Sequence, residues 1–124
     1  MISIDSYGWI ERFADGPKAG HYNRIIDGTA NEQDIVTSVI TLYEVYRKVK
    51  QLKGEEIALE AVAALSMTNV IPIDQTLALE AADYSLEHGL QMSDALVYAT
   101  ARQQDAELHT GDKDLKGLKG VTFV

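Results

Sequence analysis

The sequence predicts an α/β protein with a mainly parallel sheet covered by helices. Short apolar runs alternate with segments of helical period along the 124 residues. No internal repeat, low-complexity tract or linker interrupts this alternation. Such a pattern is typical of chains in which strands and covering helices follow one another. The length is that of one domain with a buried core, so we expect residues 1–124 to form a single domain.

The strands are predicted from short runs rich in β-branched and other apolar residues, bounded by polar residues or glycine. Each run is short enough to be a buried strand and too short to be a helix. The five predicted strands are Ile2–Ile4, Ile35–Thr37, Val70–Ile73, Glu107–Thr110 and Val121–Val124.

The helices have clearer boundaries. One helix is predicted to begin after Ser38 and to end at Gly54, a residue type that tolerates the left-handed backbone of a helix end. Its apolar stripe consists of Leu42, Val45, Val49 and Leu52. Five other helices are predicted. The first begins near Tyr7, and the second spans His21–Asp27. The third begins at Glu55, the fourth runs from a capping Asp74 to Gly89, and the fifth begins at Ser93 or Asp94.

Composition excludes several classes of function. Cysteine is absent, which excludes disulfides, thiol chemistry and cysteine-ligated zinc. The net charge of −8 argues against broad phosphate binding, although an acidic site that works through bound cations remains compatible with it. No segment has the apolar length of a membrane span or the pattern of a secretion signal. We therefore expect a cytoplasmic protein with no membrane partner.

Four carboxylates stand where a parallel sheet would bring side chains together. Asp5 and Asp112 follow predicted strands, Asp94 lies at a helix start, and Glu44 lies in the helix after the second strand. Ligands of parallel sheets bind beyond the carboxyl ends of the strands. Each acid alone has an ordinary explanation, such as helix capping for Asp5 or an ion pair of Glu44 with Lys48. The separate positions are therefore weak indications of a shared site.

Other common sites are not indicated. The three histidines are scattered without the spacing of metal ligands. There is no nucleophile elbow of the G-x-S-x-G kind and no glycine-rich phosphate loop of the Walker type. A phosphoacceptor receiver domain would need an acidic pair after the first strand, where this chain has only Asp5.

Four local motifs occur in a fixed order along the chain. They are the strand-end Asp-Ser of "IDSYGWIERF", the S-x-x-T-x-x-E spacing in "SVITLYEV", the D-A-x-x-x-A-x-A spacing in "DALVYATA", and the L-x-T-x-D-x-D-L spacing in "LHTGDKDL". Together they resemble the PIN domain, and in particular the small toxins of VapBC-type toxin–antitoxin pairs. The resemblance runs from the first residues to Leu118. It implies a five-stranded parallel sheet with helices on both faces and a metal-dependent ribonuclease.

The resemblance also implies the residues of the site. Asp5, Glu44, Asp94 and Asp112 match the acidic quartet, and Asp114 matches a further acid beside its last member. Ser6 and Thr110 match hydroxyls that orient these carboxylates. Four converging carboxylates would raise one another's pKa unless cations were present. Oxygen ligands of this kind suit Mg²⁺ or Mn²⁺, which we expect Asp5, Asp94 and Asp112 to hold, with Glu44 joining a second ion or positioning the attacking water.

Basic residues close to these acids are candidates for guiding an RNA backbone to the pocket. They are Arg47, Lys48, Lys50, Lys113 and Lys116. The resemblance further implies a homodimer and an antitoxin whose C-terminal segment lies in an apolar groove and blocks the acidic site. Tyr43 and Tyr46 are compatible with such a groove, or with the core or a dimer interface. The alternatives are a PIN-fold nuclease of RNA processing or DNA cleavage, and a catalytically silent binding module.

Overall fold

The computed structural model describes residues 1–124 as one five-stranded sheet with helices on both faces. All strand pairs are parallel, and the order across the sheet is β3-β2-β1-β4-β5. The predicted fold class is therefore confirmed. The strands are β1 Ile2–Ile4, β2 Ile35–Ser38, β3 Asn69–Ile71, β4 Glu107–Thr110 and β5 Val121–Phe123.

Six helices cover the sheet. They are α1 Ser6–Ala14, α2 Ala19–Asp27, α3 Val39–Lys53, α4 Glu55–Ser66, α5 Gln75–His88 and α6 Met92–Gln103. Two short 3₁₀ turns, Glu32–Asp34 and Lys113–Leu115, precede β2 and β5. None of the helices has both the length and the apolar composition that crossing a membrane would require.

The core lies in two apolar layers, one on each face of the sheet. On one face, α5 and α6 pack together around residues such as Leu77, Tyr98 and Leu108. On the other face, α1 to α4 pack around Trp9, Tyr22 and other buried residues. Burial of these side chains is the main force that holds the helices against the sheet.

Helix ends explain several of the predicted boundaries. Gly54 and Gly89 have φ of 90° and 68°, as expected for glycines that end helices. Asp74 accepts a hydrogen bond from the amide of Leu77 and caps α5. Ser38 occupies the N-cap position of α3, but its hydroxyl makes no capping bond.

Several details differ from the predictions, including the bounds of β2, β5 and α2, which extend to Ser38, end at Phe123 and begin at Ala19, respectively. Strand β3 ends at Ile71 rather than Ile73, because Pro72 has no amide hydrogen to donate to a neighbouring strand. Helix α6 begins at Met92, with Gln91 as its N-cap, rather than at Ser93 or Asp94. Leu52 is 52% exposed although it shares the predicted stripe of α3.

Candidate functional site

The site lies where the strand order reverses. The chain runs from β1 outward through β2 to β3, and then returns to the other side of β1 with β4. Crevices at such reversals bind ligands beyond the carboxyl ends of the strands. Asp5 follows β1 and Asp112 lies two residues after β4, so the topology places both acids at this crevice.

Both carboxylate oxygens of Asp5 accept hydrogen bonds that hold the side chain in place. Its Oδ1 accepts a hydrogen bond from the amide of Gly8 at 3.0 Å and thus caps α1. Its Oδ2 accepts a 2.5 Å hydrogen bond from the hydroxyl of Thr110. Burial raises the pKa of Asp5 above its ordinary value, the hydrogen bonds from Thr110 and Gly8 lower it, and the charge of Asp112 raises it. Asp5 is therefore both a helix cap and a wall of the crevice.

A chain of hydrogen bonds orders the turn after β4. The hydroxyl of Thr110 accepts from the amide of Asp112 at 3.0 Å. Asp112 Oδ1 in turn accepts from the amide of Asp114 at 2.9 Å. Thr110 is fully buried, so the turn that carries the two acids is anchored in the core.

Asp94 comes from the first turn of α6 and meets the acids of this turn. One carboxylate oxygen each from Asp94, Asp112 and Asp114 lie within 4.8 Å of one another. The pKa of Asp94 is raised to about 7, first by burial and then by Asp112, Asp114 and Asp5. Like charges at this separation disfavour ionisation, and a cation between them would relieve the repulsion.

Glu44 reaches the crevice from α3. Its Oε2 accepts a hydrogen bond from the hydroxyl of Ser93 at 2.8 Å. Its Oε1 is buried and has no hydrogen-bond partner. The ion pair with Lys48 that the sequence allowed is not formed. Glu44 is thus oriented by Ser93, and its second carboxylate oxygen is left without a partner.

A pocket of about 560 Å³ contains the acids. Of the two predicted hydroxyl residues, Ser6 lines this pocket and Thr110 donates a hydrogen bond to Asp5. Its walls are Asp5, Ser6, Tyr7, Lys18, Glu44, Gln91, Ser93, Asp94, Val97, Gly111 and Asp112. Asp114 lies in the carboxylate cluster at its edge.

Six of these wall residues were not predicted as site residues: Tyr7, Lys18, Gln91, Ser93, Val97 and Gly111. Ser93 directly precedes Asp94, and that position is the only local signal that could have suggested a role. Lys18 follows a Gly-Pro turn and has no comparable signal. Its place in the pocket follows from the packing of α1 and α2 together.

A second groove, of about 740 Å³, adjoins the acidic pocket and shares Ser6, Tyr7 and Glu44 with it. Tyr43 is 63% exposed and lines the groove, so it is not a core residue. The complete lining is Ser6, Tyr7, Ile10, Glu11, Ala14, Gly16, Tyr43, Glu44, Arg47, Lys48 and Leu52.

The predicted basic residues have different surroundings. Arg47 and Lys48 line the groove beside the acidic pocket. Lys50 is engaged elsewhere, since its ammonium lies 3.3 Å from Glu55. Lys113 and Lys116 are exposed after Asp112, and the ammonium of Lys116 lies 4.7 Å from the centre of the Phe123 ring.

Comparison with known proteins identifies the family. Residues 2–121 match the PIN domain family. A toxin–antitoxin complex from Klebsiella pneumoniae contains a chain that is 28% identical, with a TM-score of 0.83 and coverage of 98% of this chain and 96% of that one. The sarcin-ricin loop cleaving toxin VapC20 from Mycobacterium tuberculosis is 19% identical, with a TM-score of 0.80 and 98% coverage of both chains.

A third similar structure is VapBC2 from Rickettsia felis bound to a DNA fragment from its promoter. It is 18% identical, with a TM-score of 0.77 and coverage of 100% of this chain and 98% of that one. A search of curated proteins gave no match. The match to nearly the whole sequence, together with the five-stranded fold, shows that the chain belongs to the PIN domain family and resembles VapC toxins in structure.

Proposed function

We propose that this protein is a divalent-metal-dependent endoribonuclease and the toxin of a toxin–antitoxin pair. The observation that carries the proposal is the convergence of Asp5, Glu44, Asp94 and Asp112 on one pocket at the strand reversal. Membership of the PIN domain family supports the nuclease, and the similarity to toxin–antitoxin structures supports the toxin.

The residues of the pocket fit a divalent cation. All their candidate ligand atoms are carboxylate oxygens, the type that Mg²⁺ and Mn²⁺ prefer. The buried Oε1 of Glu44 has no partner, and the pKa of Asp94 is raised first by burial and then by the carboxylates of Asp112, Asp114 and Asp5. Asp5, Asp94 and Asp112 would hold Mg²⁺ or Mn²⁺, Asp114 would lie beside them, and Glu44 would join a second ion or position water.

The reaction proposed is hydrolysis of an RNA phosphodiester. When bound, a cation of this kind polarises the phosphodiester and lowers the pKa of a water molecule. The water oxygen forms a bond to phosphorus, the bond to the leaving ribose oxygen breaks, and that oxygen takes up a proton. Glu44, oriented by Ser93, has Oε1 available to accept a hydrogen bond from the attacking water. Thr110 and the Gly8 amide keep Asp5 in one orientation.

The test is cleavage of a mixed RNA pool with Mn²⁺. Wild type, Asp5→Asn and wild type with EDTA are purified and assayed identically. Cleavage by wild type alone supports the proposal, because contaminating ribonuclease would appear in all three samples. Equal cleavage by Asp5→Asn contradicts the assignment of the acidic pocket. If no sample cleaves RNA and wild type fails to bind Mn²⁺ more tightly than Asp5→Asn, the protein is a silent binding module.

We further propose that the groove beside the pocket receives the C-terminal segment of an antitoxin. The groove combines apolar walls, including Ile10, Tyr43 and Leu52, with a direct opening to the acidic pocket at Glu44. A peptide there would block access of RNA. Growth arrest on expression, relieved by co-expression of a small protein encoded beside this one, would support the proposal. Relief that is equally strong with Tyr43→Glu, which replaces the aromatic ring with a negatively charged side chain, would contradict this placement.

The homodimer is also a proposal. An apolar pocket of about 420 Å³ lies between α5 and α6, and Leu79 and Met92 on these helices are 62% and 71% exposed. A second copy would remove such apolar surface from water. Sedimentation velocity should give the mass of a dimer for wild type and of a monomer for Met92→Glu. A monomeric wild type would contradict the proposal.

A further inference from the structure

Lys18 is the only basic residue that lines the acidic pocket. It lies in the loop between α1 and α2, and its side chain is exposed. No carboxylate lies within 4.0 Å of its ammonium. The ion pairs of the protein involve Arg12, Lys50 and His88 instead. Lys18 therefore brings an unpaired positive charge to the mouth of a strongly acidic pocket.

The backbone of Lys18 is held by a buried carboxylate. Glu11 in α1 is only 8% exposed, and its Oε2 accepts a 2.9 Å hydrogen bond from the amide of Lys18. Glu11 has no basic partner among the ion pairs. A buried carboxylate without a cation is costly unless hydrogen bonds satisfy it. Its hydrogen bond to the Lys18 amide is therefore strong and directional.

The rest of the loop is built around Glu11. The amide of Gly16 donates to the backbone carbonyl of Glu11 at 2.9 Å. Gly16 also lies against the Glu11 carboxylate, so that a Cβ at this position would collide with it. Asp15 turns the chain with a φ of 55°, and the amide of Ala19 donates to the Gly16 carbonyl at 3.0 Å. These contacts fix the path of the chain that leads to Lys18.

Glu11 also lies beside Tyr7, another residue of the pocket wall. The carboxylate of Glu11, acting as a hydrogen-bond acceptor, is the largest cause of a raised pKa of the Tyr7 hydroxyl. One buried side chain thus holds the backbone of Lys18 and lies close to Tyr7, a second residue of the pocket wall. The backbone of Lys18 is therefore fixed beside the pocket, while its side chain stays exposed.

We propose that Lys18 binds a phosphate group of the RNA at the mouth of the acidic pocket, and that Glu11 is the positioning residue that holds Lys18 there. The inference rests on the proposed ribonuclease function. A pocket of carboxylates repels the RNA backbone wherever bound cations do not compensate it. A lysine ammonium at the mouth is a point charge that binds phosphate without reading sequence.

The test measures affinity and its salt dependence for a short, fluorescently labelled, single-stranded RNA of mixed sequence. Ca²⁺ is used as the oxygen-binding cation, and gels check that the RNA stays intact. Lys18→Met should weaken binding roughly threefold to tenfold and reduce the slope of log affinity against log salt by about 0.7. Lys18→Arg should keep the slope. Lys119→Met, which removes an exposed lysine outside the pocket, is the matched control and should bind as wild type does.

Glu11 is tested by a double-mutant cycle. Glu11→Gln keeps an oxygen that can accept from the Lys18 amide and should keep wild-type affinity. Glu11→Met removes the acceptor and should lose about as much affinity as Lys18→Met. The variant with both Glu11→Met and Lys18→Met should lose no more than either alone, since both act through one contact. Thermal melts identify any variant that is not folded. If Glu11→Met does not fold, Gly16→Ala, whose Cβ would displace the Glu11 carboxylate, takes its place in the cycle.

Two outcomes overturn the inference or part of it, and a third separates it from the proposed ribonuclease function. If Lys18→Met keeps the affinity and slope of wild type and Lys119→Met, Lys18 binds no phosphate. If the variant with both substitutions loses as much RNA affinity as Glu11→Met and Lys18→Met lose in sum, Glu11 does not act through Lys18. If wild type binds RNA through Lys18 but never cleaves RNA with Mn²⁺, the ribonuclease proposal fails while the phosphate contact stands.

Discussion

Thr110 donates a 2.5 Å hydrogen bond to Asp5, a residue 105 positions earlier in the chain. The same hydroxyl accepts from the amide of Asp112, so one side chain orients two acids of the pocket. Thr110→Val should cost about 1–3 kcal/mol of stability, because it leaves buried polar groups without a partner. Cleavage should fall by about tenfold to a hundredfold, as for other groups that orient metal ligands. Chemical denaturation and an RNA cleavage assay measure the two effects.

The control for this prediction is Thr100→Val. Thr100 is also fully buried, and its hydroxyl donates to the carbonyl of Leu96 within α6, away from the acids. This variant should lose stability without losing activity per folded molecule, whereas Thr110→Ser should retain both. Equal activity of Thr110→Val and wild type would show that Thr110 has only a structural role.

Asp94→Asn should stabilise the metal-free protein at neutral and alkaline pH. The pKa of Asp94 in the folded protein is about 7, above the ordinary value of about 3.9. Between these values the folded state binds more protons than the unfolded state, so its stability falls as pH rises from about 4 to about 7. With EDTA at pH 8 the Asn variant should gain about 1–2 kcal/mol, a figure reduced for the partial exposure of the side chain.

Thermal melts at several pH values measure this effect. The gain should shrink as the pH is lowered toward 5, and saturating Mn²⁺ should reverse the order by stabilising wild type. Asp83→Asn, which neutralises an exposed aspartate of α5, is the matched control and should not show this pattern. A gain for Asp94→Asn that does not depend on pH would contradict the charge repulsion.

Ser93→Ala should weaken Mn²⁺ binding and RNA cleavage by about tenfold, because Glu44 would lose the donor that orients its Oε2. The serine lies in the pocket wall, so little apolar packing is lost. Calorimetric Mn²⁺ titration and the cleavage assay measure the change. Ser66→Ala removes a remote exposed hydroxyl that donates to the Val62 carbonyl and should behave as wild type. Identical Mn²⁺ affinities of the two variants would leave Ser93 without the proposed role.

Charge reversal on α3 should distinguish Arg47 from Lys50. Arg47 lines the groove beside the pocket, whereas Lys50 is paired with Glu55 and also donates to the hydroxyl of Tyr46. Arg47→Glu should reduce the salt-dependence slope of RNA binding by about one, and Lys50→Glu should reduce it by less. The measurement is RNA affinity over a range of salt concentrations. If the salt-dependence slope of RNA binding is unchanged in both variants, α3 does not contact the RNA backbone.

Much of the fold could be predicted because its signals are local. The apolar run of β1 and the glycines that end α3 and α5 depend on nearby sequence alone. Strand β3 was placed too far along the chain because Val70–Ile73 is a continuous apolar run apart from Pro72, whose missing donor ends the pairing. Leu52 continues the helical period of Val45 and Val49, but the sequence does not show that a groove opens there.

The candidate site was predictable only in part, because several of its contacts join residues that are distant in the sequence. Asp5 and Asp112 follow strands, and family motifs indicated Glu44 and Asp94 as well. The contact between Ser93 and Glu44 joins residues 49 positions apart, and no local pattern encodes such a pairing. Lys18 reaches the pocket through a loop held by Glu11, which the sequence presents as an ordinary acid of an amphipathic helix. Contacts of this kind exist only in the packed protein.

The place of β1 at the centre of the sheet has a consequence for biosynthesis. This strand of three residues needs β2 on one side and β4 on the other, and β4 is made about a hundred residues later. While β4 is still inside the ribosome, one edge of β1 is unpaired, and Thr110 and Asp112 are not yet in place. Non-local pairing of this type forms late in folding. An incomplete nascent chain therefore cannot assemble the acidic pocket, and any activity of that pocket begins only after nearly the whole domain has left the ribosome.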